Sequence, residues 1–154
     1  MVPQLHLLVP HAPPVAEQYL PGGCLAPLSS ELLSDIMASG NHWRKIINCA
    51  AKLLFALDAK GHASWQLYRD HFLLRAGSGQ YLHAGVVNVH ALAGIKIITG
   101  KQHGQDVLGP VWQDGDFYLE AEQGIIVSPY FDYRQLSNQK ILELRDIIRQ
   151  LPQS

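Results

Sequence analysis

Cysteine is almost absent from this chain, and so are basic tracts, long apolar runs and an excess of charge of either sign. Two cysteines, Cys24 and Cys49, in 154 residues cannot make a disulfide framework. Cys49 falls within an apolar helical pattern, where a reduced thiol behaves as a small hydrophobe. Cys24 sits in a Gly-Gly-Cys loop with no base near it in sequence, so it makes a poor nucleophile. No apolar window reaches about 18 residues, so no transmembrane helix is expected. Met1 to Val15 has no positively charged segment and is interrupted by Pro3, Pro10, Pro13 and Pro14, which does not fit a secretory signal peptide. With 12 Lys and Arg against 13 Asp and Glu, the net charge is −1. No basic run exceeds Arg44-Lys45, which argues against non-specific binding to DNA or to an anionic membrane. The expectation is a soluble cytoplasmic protein with no membrane partner.

Catalytic motifs are missing too. Thr99-Gly100-Lys101 resembles a phosphate-binding turn, but Gly94 and Gly100 have five residues between them, and Ile95 to Thr99 reads as strand. Gln102 stands where a Ser or Thr is required, so this is not a Walker A motif. Ser128 lacks the Gly-x-Ser-x-Gly elbow. The eight histidines include no His-Glu-x-x-His and no standard zinc spacing. His103-x-x-Asp106 comes nearest, with His83 and His90 as companions only after folding. No metal or cofactor is implied, and no motif names a reaction.

What remains is patterning. A length of 154 residues suits a single domain, able to bury roughly 70% of the surface its unfolded form exposes. Leu5 to Val9 reads as a first strand ended by Pro10. A Pro/Gly-rich stretch from Pro21 to Pro27 reads as loop or short turns. Ser29 or Ser30 is placed to cap a helix over about 30–39, with Gly40 just past its end. Asn41 is placed to cap a second helix over about 42–57, in which Trp43, Ile46, Ile47, Ala50, Leu53, Leu54 and Leu57 follow the helical period. Ser64 opens a third, to about Ala76, ended by Gly77.

The period then changes. Gln80 to His83 and Val86 to His90 resemble short strands, the latter with an irregular alternative. Gly94 to Thr99 is the strongest strand signal and is expected to be central. A short helix follows to about Leu108. Val111 to Leu119 suggests a hairpin around Gln113-Asp114-Gly115. Ile125 to Val127 is a last core strand, and a helix over about 138–150 closes the pattern. Strands alternating with helices imply an α/β fold: a three-layer α/β/α arrangement with a mainly parallel central sheet.

In such a sheet the carboxyl ends of the strands are where ligands sit. Pro10-His11, Thr99-Gly100-Lys101 and Ser128 to Arg134 are all expected at that edge. If Tyr130 to Arg134 is extended, Tyr130, Asp132 and Arg134 share one face. Asp132 would then orient the Arg134 guanidinium towards a carboxylate or phosphate, while Tyr130 or Tyr133 stacks on a flat ligand. Gly100 permits a sharp strand-to-helix turn, Lys101 adds charge, and amides near Ser137 and Asn138 offer a helix N-terminus to an anion.

Two segments carry a resemblance. Asn41-His42-Trp43-Arg44-Lys45-Ile46 with Ala51-Lys52-Leu53-Leu54-Phe55, and Ser128 to Asn138, resemble an uncharacterised bacterial domain-of-unknown-function family, which brings no activity with it. More distantly, Ile95 to Lys101, and a final strand whose Pro-containing loop ends in Leu136-Ser137, resemble the last strand-loop units of the uracil-DNA glycosylase superfamily. That resemblance implies a parallel sheet between helices. The family's water-activating Gly-Gln-Asp-Pro-Tyr-His segment is replaced here by Val9-Pro10-His11-Ala12-Pro13-Pro14, which has no carboxylate.

The leading expectation is a protein that binds a small anionic or nucleotide-like ligand through His11, Gly100, Lys101, Tyr130, Asp132, Tyr133, Arg134, Ser137 and Asn138. One rival is a degenerate glycosylase-like nucleic-acid binder, which requires Arg44, Lys45, Lys52, Lys101 and Arg134 to gather on one surface. The other is a non-catalytic interaction module or homodimer, marked by an exposed patch around Trp112, Phe117 and Tyr118.

Overall fold

The computed structural model describes residues 4–14, 27–111 and 115–152. Five strands form one sheet: β1 (Leu5–Val9), β2 (Gln80–Ala84), β3 (Ile95–Thr99), β4 (Tyr118–Glu120) and β5 (Ile125–Ser128). Their order is β2-β1-β3-β5-β4. β1 runs parallel to both β2 and β3, β3 is parallel to β5, and β4 alone is antiparallel, against β5. All residues of β1, β3 and β5 are buried, as in inner parallel strands covered on both faces, and His6, Lys96 and Thr99 are polar members of these runs. β3 is the middle strand, as its sequence suggests.

The helices are α1 (Ser30–Ala38), α2 (Asn41–Leu57), α3 (Trp65–His71), α4 (Lys101–Leu108) and α5 (Asn138–Gln150). The sheet's two faces are covered unequally. Leu5, Leu7, Val9, Ile95, Ile97 and Ile126 join one core with buried residues of α1, α2, α3 and α5. On the opposite face, among the described residues, Leu8, Ile98, Ile125 and Val127 cluster with Val89 and the partly buried Val87, Leu92, Val107, Leu108 and Tyr118. α2 is the hub of the thick layer: it packs against α1, α3 and α5, with Trp43, Ile46, Ile47, Leu53 and Leu54 buried. Each large side chain of this kind contributes roughly 1.5–3 kcal/mol through burial.

Several boundaries differ from the sequence pattern, each for a local reason. α1 closes on Ser39, and Gly40 is the N-cap of α2. Asn41 is therefore already helical, and its Oδ1 accepts from the Arg44 guanidinium at 3.2 Å rather than from a backbone amide. α3 stops at His71, not Ala76. Leu73 and Leu74, just past its end, are both fully buried. Leu74 leaves the helix in a left-handed conformation (φ 57°), and its amide donates to the buried Gln80 Oε1 at 2.8 Å. Val86 to His90 is not a strand. Val86 is 67% exposed and the segment ends in a 3-10 turn, Val89–Ala91. The antiparallel pairing runs from β4 through a 3-10 turn, Ala121–Gln123, to β5. Gln113 and Asp114 of the expected hairpin lie outside the described residues, as do Trp112, Cys24 and Pro21 to Ala26. Of the proposed aromatic patch, Phe117 packs against the larger core and Tyr118 against the smaller. Cys49 is a buried free thiol whose pKa burial pushes up to about 11, so it packs as a hydrophobe.

The thinly covered face contains a buried polar knot. His6, on β1, donates from Nε2 to the Ala93 carbonyl at 2.9 Å, and its Nδ1 faces His83 Nε2 at 2.8 Å. The carbonyl accepts only, so the His6 proton resides on Nε2 and His83 must donate to Nδ1. Burial first, then His83 and the neighbouring Lys96, lower the His6 pKa to about 4. A depressed histidine binds fewer protons folded than unfolded, so stability rises with pH between these values. The contribution is full above the ordinary histidine value near 6.5 and is lost as pH falls through about 4. His83 and His103, also lowered by burial, act in the same direction. The melting temperature is expected to fall steadily from pH 7 to 4.5, and His6→Gln should flatten that fall; a flat wild-type profile would contradict the neutral pair.

Candidate functional site

Strand β1 hands the chain to β2 on one side, whereas β3 lies on its other side and leads on towards β5. The carboxyl ends of β1 and β3 therefore flank the topological switch point, where connections part and leave a crevice. Thr99, fully buried, ties the two ends together by donating from Oγ1 to the Leu8 carbonyl at 3.0 Å. Gly100 then turns the chain into α4 with φ +90°. A Cβ at Gly100 would lie 3.2 Å from the Tyr130 ring, so glycine serves both the turn and the close approach of that ring.

A cavity of about 560 Å³ opens here, with His11, Gly100, Lys101, His103, Asp106 and Tyr130 among its walls. Its floor is the N-terminus of α4. The cap residue is glycine and makes no side-chain hydrogen bond to the first turn. The first amide to bond back along the helix is Gly104, to the Gly100 carbonyl at 3.0 Å. The preceding amides thus receive no acceptor from the cap, and they carry the positive end of the helix dipole.

His103, in that first turn, is only 4% exposed, and its buried Nε2 has no hydrogen-bond partner among the described residues. Burial is the main cause lowering its pKa; His11 reinforces the shift and Asp106 opposes it. The group is thus a neutral imidazole in a cavity wall, with one nitrogen unsatisfied, which costs on the order of 1–3 kcal/mol. Tyr130 lies stacked on His42, ring centroids 5.5 Å apart, and its hydroxyl meets His42 Nε2 at 2.9 Å. Burial, then the charge of Asp132, raises the Tyr130 pKa, so it is a neutral phenol and a flat wall.

The fold brings His11, Gly100, Lys101 and Tyr130 to one cavity and takes the other expected site residues elsewhere. The segment from Tyr130 to Arg134 is not extended. The Asp132 amide donates to Tyr130 O, and Gln135 and Leu136 amides both donate to Asp132 O, making a compact turn. Alternation fails accordingly: Phe131 is fully buried and Tyr133 is 54% exposed. Asp132 Oδ1 accepts from the Arg134 backbone amide at 2.9 Å, while Oδ2 lies 3.5 Å from Lys45 Nζ. The amide bond, with lesser help from Lys45, holds Asp132 below the usual carboxylate range against the effect of burial, which weakens it as a base. The Arg134 guanidinium lies over the Tyr133 ring, 5.7 Å from its centroid, instead of pairing side chain to side chain with Asp132. Ser137 caps α5 itself, accepting from the Lys140 amide at 3.3 Å, so that terminus is already partly satisfied. Asn138 Oδ1 faces Lys52 Nζ at 3.5 Å. Ser128, fully buried, donates to the Pro129 carbonyl.

Tyr133 instead borders a second, smaller groove of about 370 Å³ together with Asn41, Arg44, Lys45 and Lys52 of α2. Lys101 is not part of it. Cavity-lining residues that sequence reasoning passed over are His103, Asp106 and Gln135, and it also passed over His42, which braces Tyr130. His103 was legible in principle, being in the first turn of a helix that follows the central strand. His42 was not, because its place depends on how α2 crosses the loop after β5. Among the described residues, no three His, Cys, Asp or Glu side chains are grouped to hold a metal ion, and no helix is long and apolar enough to cross a membrane.

The chain matches the family of unknown function DUF6942 over residues 2–149. It belongs to that family. No curated protein and no solved structure matches it. The DUF6942 match spans all five strands, the switch-point cavity and the α2 groove.

Proposed function

We propose that the protein binds a small anionic ligand in the switch-point cavity, with the anion seated on the N-terminus of α4. The observation that carries this reading is the buried, unpartnered Nε2 of His103 beside an uncapped helix start and Lys101. An anion would accept from the first-turn amides, from Lys101 Nζ and from His103 Nε2, the last of which has no partner among the described residues. His11 closes the cavity from the end of β1, and Tyr130 supplies a flat wall for the rest of the ligand. The volume lies within the range of roughly 300–1,000 Å³ typical of small-molecule sites.

Lys101 is exposed, so Lys101→Ala should leave the unliganded fold intact. A charge-assisted hydrogen bond is worth about 1.5–3 kcal/mol, which corresponds to a loss of affinity of roughly ten- to a hundredfold. In a thermal-shift screen of small phosphates and carboxylates, the stabilisation seen with wild type should largely vanish in this variant. Arg134→Ala, outside the cavity, should keep it. A ligand whose effect depends on Arg134 and not on Lys101 would move the site to the other groove.

A second reading has its own observation: Arg44, Lys45 and Lys52 share the α2 groove with the exposed Tyr133 ring. Cations interleaved with an aromatic suit a single-stranded nucleic acid. Fluorescence anisotropy with a short labelled oligonucleotide should then show affinity falling with salt, with a slope near −0.7 per phosphate contacted, and Lys52→Ala should reduce that slope. No binding at low salt removes this reading.

A further inference from the structure

The cationic side of α2 does not end at its groove. Arg44, Asn48 and Lys52 recur four residues apart, a spacing that sets them in one stripe, and none of them is among the buried residues of the helix. α2 contains Arg44, Lys45 and Lys52 and no carboxylate. The stripe continues onto α3. Asn48 Oδ1 accepts from the Arg69 guanidinium at 2.9 Å. Lys52 Nζ and that guanidinium both lie against the partly buried Trp65 ring, 5.1 and 5.4 Å from its centroid. Tyr133 gathers cations in the same way at the groove, with Lys45 Nζ at 5.2 Å and the Arg134 guanidinium at 5.7 Å from its centroid.

Two rings thus hold two cations each, joined by one unbroken line of contacts along α2. Each pair touches one carboxylate, Asp132 beside Lys45 and Asp70 beside Arg69, so each cluster keeps an excess of positive charge. Arg44, Lys52 and Arg134 enter no ion pair among the described residues. The whole chain carries a net charge of −1, so the excess is local to this face. Between Arg44 and Lys52 alone the stripe covers about 12 Å, longer than a single phosphate group. A strand with repeating phosphates can meet both clusters, whereas a mononucleotide has phosphates for only one of them.

We infer that this face is a two-subsite surface for single-stranded nucleic acid. One phosphate subsite is Lys45 and Arg134 around Tyr133; the other is Lys52 and Arg69 around Trp65. This rests on the second reading above and extends it from the groove to α3, making strand length the determinant of affinity.

The test is fluorescence anisotropy on the full chain at low salt with a labelled thymidine dinucleotide and octanucleotide. The octanucleotide should bind roughly a hundredfold more tightly, because a second subsite reached by the same strand acts at high effective concentration. Arg134→Ala and Arg69→Ala should each lower its salt slope by about 0.7, the share of one phosphate contact. Arg69→Lys should restore most of that slope, which separates a lost charge from a disturbed fold. Trp65→Phe keeps a ring for both cations, so it should retain binding while losing most of the ligand-induced change in tryptophan emission. If the dinucleotide binds as tightly as the octanucleotide, or Arg69→Ala leaves the slope unchanged while Arg134→Ala lowers it, the α3 subsite falls and the groove reading stands. If inorganic polyphosphate of equal charge or a duplex of equal length binds as tightly as the octanucleotide, single-stranded nucleic acid is the wrong occupant. If neither oligonucleotide binds, the groove reading and its extension fall together.

Discussion

Replacing Phe131 with alanine is expected to lower the unfolding free energy by about 3–5 kcal/mol, the usual cost of emptying an aromatic site in a core. Phe131 is fully buried and belongs to the larger core, as does Leu136 at the other end of the same turn. Between them the chain is held by hydrogen bonds to the Asp132 carbonyl and carboxylate, which are near the surface and worth only about 1 kcal/mol each. The apolar anchor therefore dominates. Chemical denaturation should show the full loss, with a melting temperature lower by on the order of 10 °C. Because Tyr130 adjoins the anchor, the variant should also bind anions less well at temperatures where it remains folded. A loss below about 1 kcal/mol would mean that polar contacts hold the turn and that the core tolerates its departure.

Gly94→Ala is the second substitution with a large expected effect. Gly94 has φ +94°, and a Cβ there would lie 2.3 Å from the backbone oxygen of Gln4. That oxygen accepts the hydrogen bond from the Ile95 amide at 2.9 Å, the contact that opens the β1–β3 ladder. No rotamer change can relieve a clash with backbone, so the first rung must open or the strand must shift. Backbone strain of about 1–3 kcal/mol adds to an overpacking cost of similar size, for a total on the order of 2–6 kcal/mol. Gly61→Ala provides the control: φ is +78° and nothing lies within 4 Å of the added carbon, so only the strain of about 1–3 kcal/mol applies. Equal losses in urea titrations of the two variants would show that the close approach at Gly94 costs nothing.

The elements that were legible in the sequence are those whose signal is local. The strands β1, β3 and β5, the long amphipathic stripe of α2, and the Ser64 cap of α3 all stand where their residues place them. The failures occur where a distant partner overrides a local preference. α3 ends early because Gln80, buried nine residues on, claims the Leu74 amide. Val86 to His90 has β-branched residues but leaves the sheet after the edge strand β2 and closes in the 3-10 turn Val89–Ala91. For the site, the carboxyl-edge rule located His11, Gly100, Lys101 and Tyr130 correctly as neighbours. It failed for Asp132 and Arg134 because it assumed an extended loop. An aspartate two residues ahead of an amide readily folds a turn by accepting from that amide, and here it does so with Arg134. His103 was weighed only for its spacing to Asp106, whereas its burial without a partner among the described residues is a property that exists only after folding.

The position of β1 has a consequence for how the chain is made. Its residues align with Gln80–Ala84 on one side and Ile95–Ile98 on the other. A ribosome must therefore release the chain beyond Thr99 before this strand has both its neighbours. Until Gln80–Ala84 emerges, Leu5-His6-Leu7-Leu8-Val9 is a nascent ribbon with no strand to zip onto, while the helices that follow it can already begin to form. Assembly of the sheet is consequently a late and comparatively slow event, and the interval before it is when the growing polypeptide is most exposed to wrong associations.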